Sequence, residues 1–537
     1  MMKKETKSIL FMVIGIAAVT GFPYLKEGLC AYFPDLMYHM LRTEGVKDVL
    51  LSGEFPARIY TNFFNGYGYG SPLFYPDIFL VFPAVLRMLN ISPLVTWKIF
   101  ALTITIVATL SNYFSIKYIC KNSEWSIAAT FMIMLSQFYL ADLHLRAGIS
   151  EYLAFVFIPI LIAGIYDFFA YEGEKTYLMG IAFVGLLLSH SIMTVIGVLI
   201  TIVIFVRMLF VRREDNYLFD KERMSRLVLT AVCTILVVSY YLFPMLEQMS
   251  VLDLRYTVPW AHIGKNTQPL SSFFRLIGHF SVIAYVGIGI PTLPLLIISI
   301  ILKKPSNKWA KAFLYSGIGL FIITTDIIPW NLLENTILNM IQFTYRFWPY
   351  AIFLTTTGTV MVLSEHTKKL SVKYKRIIIL GIIGSTVLAG MFQNRMTAWA
   401  TSEETRYITE EYLAENNNYV GAGEWLPINL RDDVIDLHAA RAVKRVGNSY
   451  VYPLIYYKGY EAWSYSETGE KIKFSVGANE HGLVTVYDII EDSGNIYVEY
   501  TGTRVQKISL AVTIITIVIL GFYYIVKTVR IRKIALK

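Results

Sequence analysis

Residues 8–25 read SILFMVIGIAAVTGFPYL, with no charged side chain anywhere in the run. A helix needs about 20 such residues to cross the hydrocarbon layer of a membrane, so this stretch is expected to span one. The basic segment before it, MMKKETK, resembles the n-region of a signal peptide, but no small-residue cleavage site follows. The stretch therefore reads as a retained first helix with the N-terminus in the cytoplasm.

The rest of the chain extends the same reading. It has 537 residues, 55% hydrophobic and 16% charged, with a mean hydropathy of +0.51. A soluble globular protein carries roughly 25% charged residues, so that class is excluded. Aromatic residues make up 15% of the chain, as expected where many helix ends sit at membrane interfaces. Further apolar runs lie near 94–118, 125–141, 150–171, 176–191, 193–211, 227–247, 281–302, 311–329, 347–363, 377–393 and 508–527. With the first, they predict a polytopic α-helical membrane protein of about 12 transmembrane helices.

The net charge of +9 has a place in this threading. The loops VRREDNYLFDKERMSR (211–226), KKPSNKWAK (303–311) and EHTKKLSVKYKR (365–376) and the tail VKTVRIRKIALK (526–537) are strongly basic and all fall on one side. By the positive-inside rule that side is the cytoplasm, and no nucleic-acid partner is needed to explain the charge. The segment 73–90 would break this parity if it crossed completely. It contains Pro76, Pro83, Asp77 and Arg87, so it reads as a re-entrant or juxtamembrane pair of short helices; a thirteenth span is the competing count. The cysteines Cys30, Cys120 and Cys233 are odd in number and scattered, which supports neither a disulfide framework nor a thiolate metal site.

Three regions follow: a transmembrane domain over 1–393 that includes a first outer loop at 26–92, an extracytoplasmic mixed or β domain at 394–507, and a last helix with a basic cytoplasmic tail at 508–537. Within the second, SYVYPLIYYKGYEAW, KIKFSVG, GLVTVYDII and GNIYVEYTG are short, β-branched and aromatic, separated by Gly or Asn-rich turns. That pattern predicts a small antiparallel β domain. A Walker loop, a dinucleotide fingerprint, a zinc signature and internal repeats are all missing from the sequence, which argues against an ATP-driven pump.

Polar residues gather on the predicted outer side. From Asp35 the chain is helix-compatible up to Glu44, with Pro34 able to start the helix and Gly45 to end it. Asp35, His39 and Arg42, at i, i+4 and i+7, then share one face. A carboxylate, an imidazole and a guanidinium there have the chemistry of a base, a proton shuttle and a phosphate clamp; an ordinary solvated amphipathic face has the same spacing. Arg58 follows, and then FNGYGYGSPLFYPD, where Tyr67 and Tyr69 among glycines offer rings that can stack on sugars. The next outer loop brings Asp142, His144, Arg146 and Glu151 between two apolar runs, where charge is costly and needs a reason. Glu151 also suits the positive end of a helix. His190 lies at an outer turn, and NMIQFTYRFWPY places Gln342 and Arg346 at i, i+4 spacing among aromatics. Arginine in such a setting binds phosphate bidentately, or anchors a helix at the interface. Carboxylates and arginines beside lipid point to a phosphorylated amphiphile as ligand.

These same segments carry a resemblance. PDLMYHMLR (34–42), GEFPARI (53–59), GYGYGSPLFYP (66–76), LRAGISEYLAFVFIPI (145–160), LLLSH (186–190) and IQFTYRFWPY (341–350) resemble bacterial YfhO-like membrane proteins, and a related group labelled pyruvoyl-tetrahydropterin-synthase-related. GEWLP and YPLIYYKGYEAW are similar to the outer domain of that group, so the likeness runs over about residues 1–527. Such proteins look like members of the GT-C superfamily of membrane glycosyltransferases. The resemblance implies a polyprenyl-phosphate-linked sugar as donor, an envelope polymer, lipid or protein as acceptor on the outer face of the cell membrane, and an acidic catalytic residue in the first outer loop, the position of Asp35. It places a second acidic element at Asp142 or Glu151. A divalent cation, magnesium or manganese, is the one cofactor it allows, with Asp35, Asp142 and Glu151 as candidate ligands, although the first loop has no Asp-x-Asp pair.

On this expectation Asp35 is the general base, His39 and Arg42 shape its environment, and Arg58, Arg146 and Arg346 contact phosphate. The alternative is a secondary transporter or lipid-carrier flippase of envelope precursors. Transporters place charged groups at the membrane midplane in broken helices, whereas the predicted span interiors here are nearly free of charge.

Overall fold

The computed structural model describes residues 2–26, 28–30, 35–211, 220–258, 261–275, 287–302, 307–400, 405–406, 408–421, 423–430, 442–489 and 495–535. Pro34, most of the basic loop at 212–219, residues 303–306 and the first six residues of the run expected at 281–302 lie outside them. Helix α1 (Met2–Gly21) carries the opening apolar run, and α2 (Asp35–Leu51), α3 (Val81–Met88) and α4 (Pro93–Cys120) follow. Next come α5 (Ser123–Met134), α6 (Gln137–Ala141), a π-helical turn at Asp142–Arg146, α7 (Ile149–Ala154), α8 (Ile158–Ala170), α9 (Tyr177–Ser189) and α10 (Ser191–Val211). The chain continues through α11 (Lys221–Val237), α12 (Ser239–Met249), α13 (Thr292–Ile301), α14 (Lys308–Ile323), α15 (Trp348–His366), α16 (Val372–Ala400), the short α17 (Glu410–Glu415) and α18 (Arg504–Ala535).

Among the described residues, seven helical stretches are long and apolar enough to cross a membrane, and nine if each of two bent pairs counts as one span. The expected count of about 12 is therefore not reached among the described residues. Apolar runs are present at the other positions, but local breaks shorten their helices. Helix α9 stops after 13 residues at His190, whose backbone is extended. Helix α13 begins only after Pro291 and has 10 residues, and α14 has 16. The segment 73–90 is the short α3 with two 3₁₀ turns before it, too short to cross.

The chain forms two compact units: one of residues 1–40, 85–230 and 259–413, the other of 41–84, 231–258 and 414–537. In the second unit the late sheet groups with residues 41–84 of the first loop and with α12 and α18.

In the first unit, α15 is the central helix, buried from Trp348 to Leu363. Its partner α14 comes very close: a Cβ added at Gly317 would lie 2.7 Å from the Thr355 backbone nitrogen, and one at Gly358 2.6 Å from that of Leu314. Small residues at such crossings let helix backbones meet where no hydrophobic effect drives association. Helix starts are signposted by Ser92, Asn122, Ser136 and Asn307, each accepting from a backbone N–H in the first turn. Successive spans run antiparallel, so the C-terminal ends of α1 and of the α5–α6 pair meet the N-terminal ends of α2, α7 and α15 at one end of this unit. The contacts of Tyr24 with His144, Arg146 with Asp35 and Arg346 with Glu151 lie there.

The second unit holds an antiparallel sheet of β3 (Lys444–Val446), β4 (Ser449–Ile455), β5 (Tyr460–Tyr465), β6 (Lys471–Ala478), β7 (Leu483–Tyr487) and β8 (Tyr497–Tyr500), in the order β3-β4-β7-β6-β5-β8; the labels β1 (Leu29–Cys30) and β2 (Thr405–Arg406) belong to a two-residue pairing in the first unit. The predicted β domain is thus present. Gly447, at φ +59°, opens the two-residue turn between β3 and β4 as a hairpin of type II′ requires. Pro453 has no N–H to offer the ladder, and the β4–β7 register shifts across it, between Val451 and Ile455.

Helix α12 meets α18 in this unit. A 69° bend separates α11 from α12, and the backbone N–H of Tyr240 just past it donates to Thr513 Oγ1 of α18 at 3.0 Å. Pro244 inside α12 cannot donate to the Tyr240 carbonyl four residues earlier. Arg58 fills that vacancy, with Nη1 and Nη2 donating to the Tyr240 carbonyl at 3.3 and 3.2 Å.

Candidate active site

The site is built in the first unit from three carboxylates around one guanidinium. Arg146 Nε is 3.1 Å from Asp35 Oδ2, and its Nη1 is 3.4 Å from Asp142 Oδ1 and donates to Glu151 Oε2. Arg346 stands behind, its Nε 3.6 Å from the same Glu151 oxygen. Each chain segment is shaped for this. The π-helical turn widens the helix so that Asp142 and Arg146 lie nearly above one another, as such turns often do at functional sites. Ala147 closes the turn in the left-handed region at φ +56°. Gly148 leaves room for the pair: a Cβ there would lie 2.9 Å from Asp142 Oδ1 and 3.5 Å from Arg146 Nη1. Glu151 sits in the first turn of α7, where the helix dipole favours a carboxylate.

Arg346 is held by a strained loop. Gln342 has φ +64° and ψ −45°, and the Phe343 N–H donates to the Ile341 carbonyl at 2.7 Å, the rare γ-turn. That turn presents two acceptors to Arg346 Nη1, the Ile341 carbonyl at 2.6 Å and Gln342 Oε1 at 2.9 Å. Backbone strain of this kind costs about 1–3 kcal/mol and persists where the surroundings over-determine it. Aromatic rings complete the walls: the Arg146 guanidinium lies 5.6 Å from the Tyr345 ring centre, and that of Arg346 5.2 Å from Phe343.

Burial separates the three acids. The side chains of Asp142 and Glu151 are 0% and 1% exposed, while that of Asp35 is 39% exposed. Three carboxylates face two guanidiniums, and Asp142 Oδ2 and Glu151 Oε1 are buried without a hydrogen-bond partner. Asp35 is thus the one acid that is both part of the network and open to a substrate. The carboxylates converge on Arg146 and not on a common point, and among the described residues no group of three His, Cys, Asp or Glu side chains is placed to hold a metal ion. Asp35, Asp142 and Glu151, the acids expected as candidate ligands of a divalent cation, here surround the Arg146 guanidinium.

The other expected residues fall in several places. His190 is buried at the α9–α10 break, its Nδ1 accepting from the Met193 N–H at 3.3 Å, and it lies within electrostatic reach of Glu151. His144, on the π-helical turn, is buried with its ring edge-on to Tyr24 at 5.1 Å. His39 is buried one turn along α2 with its ring beside Tyr38. Arg42 lies on the same helix, two turns after Asp35. It is fully buried in the second unit, with Nη2 donating to the carbonyls of Tyr75 and Pro76 at 3.1 and 2.8 Å and its guanidinium 4.1 Å from the Tyr75 ring centre. The guanidinium on Asp35 is that of Arg146. Arg58 likewise meets the backbone of α12 as described. Tyr67 and Tyr69, expected as stacking surfaces, are 8% and 0% exposed. Tyr69 packs on Phe63 and Phe64 and pairs its backbone with Tyr60, so its faces are already covered.

Asp77 forms a second buried charge in that region, accepting from the Tyr60 hydroxyl at 2.9 Å. Burial pushes its carboxyl up, and Arg42 and the Tyr60 hydrogen bond pull it back. Sequence reading did not single out Tyr345 or Gly148, although both stand beside residues it did: Tyr345 before Arg346, and Gly148 in LRAGISE.

No protein-family model matches the chain. A protein of Lactococcus lactis subsp. cremoris (strain MG1363), described as uncharacterized, is 21% identical over 346 residues, 61% of this chain and 55% of its own length. Two cryo-EM structures of the arabinofuranosyltransferase AftD from mycobacteria, the second of a point mutant, match 74% and 73% of the chain at 12% and 10% identity, with TM-scores of 0.46 and 0.44. The chain spans about half the length of the lactococcal relative and 27% and 28% of the AftD chains.

Proposed function

We propose that this chain is a membrane glycosyltransferase of the GT-C type, taking a sugar from a polyprenyl-phosphate donor to an extracytoplasmic acceptor of the cell envelope, with Asp35 as general base. The observation that carries the reading is the position of Asp35: the solvent-open carboxylate of a network whose other two acids are buried, with Arg146 Nε 3.1 Å away to fix its orientation. The resemblance of its motifs to those of YfhO-like proteins supports the reaction class, and the basic loops support an active site on the outer side with both termini in the cytoplasm.

The chemistry follows from the network. The acceptor hydroxyl gives its proton to Asp35, its oxygen bonds to the anomeric carbon, and the bond from that carbon to the phosphate oxygen breaks, so the electron pair leaves with the lipid phosphate. Carboxylates outnumber guanidiniums by one in the network, and uptake of a proton by Asp35 relieves that surplus. Arg146 is a positioning residue: it holds the carboxylate in place until the acceptor arrives. Arg346, Gln342 and Glu151 hold Arg146 in turn. No step is assigned to a metal ion.

The test compares envelope glycans and polyprenyl-phosphate sugars in cells carrying the intact chain, a deletion and Asp35→Asn at equal expression. Loss of one sugar with build-up of its lipid-linked donor in both altered strains is expected. Normal glycans with Asp35→Asn beside loss in the deletion strain would remove Asp35 from the chemistry.

A further inference from the structure

A phosphate that leaves with the electron pair needs a cation beside it, and the arginines expected there are committed elsewhere. Arg146 is shared by three carboxylates, Arg346 is buried against Glu151 and the Ile341 carbonyl, and Arg58 serves the backbone of α12 in the second unit. Lys98 is not committed in this way. It is half-buried in the second turn of α4, and its Nζ donates to the Lys26 carbonyl just past the end of α1, at 2.7 Å. Among the described residues no carboxylate pairs with it. The basic loops of the chain lie on the opposite, cytoplasmic side of the predicted threading, and the start of a helix favours anions over cations. Neither charge bias nor helix dipole therefore accounts for an ammonium at this place, and the carbonyl takes only one of its three N–H groups.

The surroundings of Lys98 are polar on one hand and apolar on the other. Its neighbour Trp97 lines a small cleft together with Lys26, Leu36 and Ala147, the last two following directly on Asp35 and Arg146. Lys98, through Trp97 and Lys26, and the Asp35–Arg146 pair, through Leu36 and Ala147, thus flank one cleft. Close by in the chain, Phe22, Leu25 and Val95 are exposed apolar side chains, Leu25 at 81%. A cation between a solvent-open carboxylate and an exposed apolar edge matches an amphiphile whose anionic group stands where its hydrocarbon begins. A phospholipid of the surrounding leaflet has that charge but nothing that needs the carboxylate across the cleft. A lipid-linked sugar has both.

We infer that Lys98 binds the phosphate of the lipid-linked donor: its ammonium pairs with the phosphate, the Lys26 carbonyl holds it in place, and Phe22, Leu25 and Val95 meet the first units of the lipid chain. The inference rests on the glycosyltransferase reading and deepens it, since it names the cation that the leaving group meets.

The experiment uses the full chain in maltoside micelles, which contain no phosphate, and native mass spectrometry with three probes: a polyprenyl phosphate, the polyprenol without phosphate, and phosphatidylglycerol. The intact chain and Asp35→Asn are expected to bind the polyprenyl phosphate more tightly than either other probe. Lys98→Met, which keeps an unbranched stem, is expected to bind it at least about tenfold more weakly, as the loss of one charge-assisted contact implies, and no better than the polyprenol. Lys98→Arg keeps the charge and is expected to bind nearly as the intact chain does. Binding by Lys98→Met equal to that of the intact chain overturns the assignment and leaves Lys98 an interface anchor. A loss in Lys98→Arg as deep as in Lys98→Met, or phosphatidylglycerol held as tightly as the polyprenyl phosphate, overturns it as well. Unchanged binding by Lys98→Met beside lost transfer by Asp35→Asn would remove the site and keep the transferase. Lost binding by Lys98→Met beside normal transfer by Asp35→Asn would keep the site and sink the catalytic reading. Elution volume and unfolding midpoint of each variant show whether it is folded.

Discussion

Replacing Arg146 by methionine removes the hub of the network while keeping an unbranched stem of similar length. In the intact chain Arg146 meets Asp35, Asp142 and Glu151. Without it Glu151 keeps Arg346 at 3.6 Å, but Asp142, 0% exposed, loses the guanidinium it is paired with. Breaking a buried pair by removing one partner costs about 3–5 kcal/mol, and that is the loss expected for Arg146→Met. Glu151→Gln keeps Arg146 on its two remaining acids and leaves the carbonyl and amide bonds of Arg346 in place, so about 1–2 kcal/mol is expected. The two changes act on one contact and are therefore not additive: the double variant should be about 1–3 kcal/mol more stable than the sum of the singles implies. Steric-trap or denaturant unfolding in bicelles, run as a double-mutant cycle, measures all three. A cost below about 1 kcal/mol for Arg146→Met, the range of an exposed pair, or a coupling near zero, would mean that the acids do not depend on Arg146.

Three further outcomes follow from the same geometry. Gly148→Ala pushes a Cβ to 2.9 Å from Asp142 Oδ1 and should cost about 1–3 kcal/mol by overpacking, whereas Gly319→Ala in α14, with nothing within 4 Å, should be neutral or stabilising by up to about 1 kcal/mol; thermal unfolding of both in one detergent checks the contrast. Gly358→Val should separate α14 from α15, because its first side-chain atom would already be 2.6 Å from the Leu314 nitrogen; a lowered unfolding midpoint is expected, and an unchanged one would mean that the helices do not meet there. Asp77 gives a pH signature. Burial raises its carboxyl from the ordinary 3.8, so its contribution is complete below that value and is lost as pH rises through the folded-state value. The stability of the intact chain relative to Asp77→Asn should therefore fall from about pH 4 upward, and a difference that grows with pH would be the opposite result.

The apolar runs were legible because hydrocarbon length leaves a direct mark on composition. Helix breaks were less so: His190 and the start of α13 shorten helices in ways that hydropathy does not record. The acids and arginines of the site were visible as expensive charge between apolar runs, but their partners were not. Asp35 and Arg42 do lie seven residues apart on one helix, as the spacing said; spacing fixes a face and says nothing of what packs on it. Gly45 was read as the end of that helix, yet α2 runs through it to Leu51. A Cβ at Gly45 would lie 2.4 Å from the Tyr60 ring, so the glycine makes room for a side chain. Arg58 looked like a phosphate ligand because nothing in the local sequence shows that Pro244 leaves a carbonyl needing a donor. The π-helical turn and the γ-turn at Gln342 were invisible for the same reason: tertiary packing imposes both against local preference.

The central claim is that Asp35 takes the acceptor proton during sugar transfer. Purified chain in proteoliposomes, given a radiolabelled polyprenyl-phosphate sugar and an extract of envelope acceptors, tests it directly by the release of polyprenyl phosphate together with label in the acceptor. The account predicts release and transfer in equal amounts by the intact chain and at least a hundredfold slower transfer by Asp35→Asn with the donor still bound. Movement of the intact lipid-linked sugar across the bilayer without cleavage, unaffected by Asp35→Asn, would contradict it and make this chain a carrier.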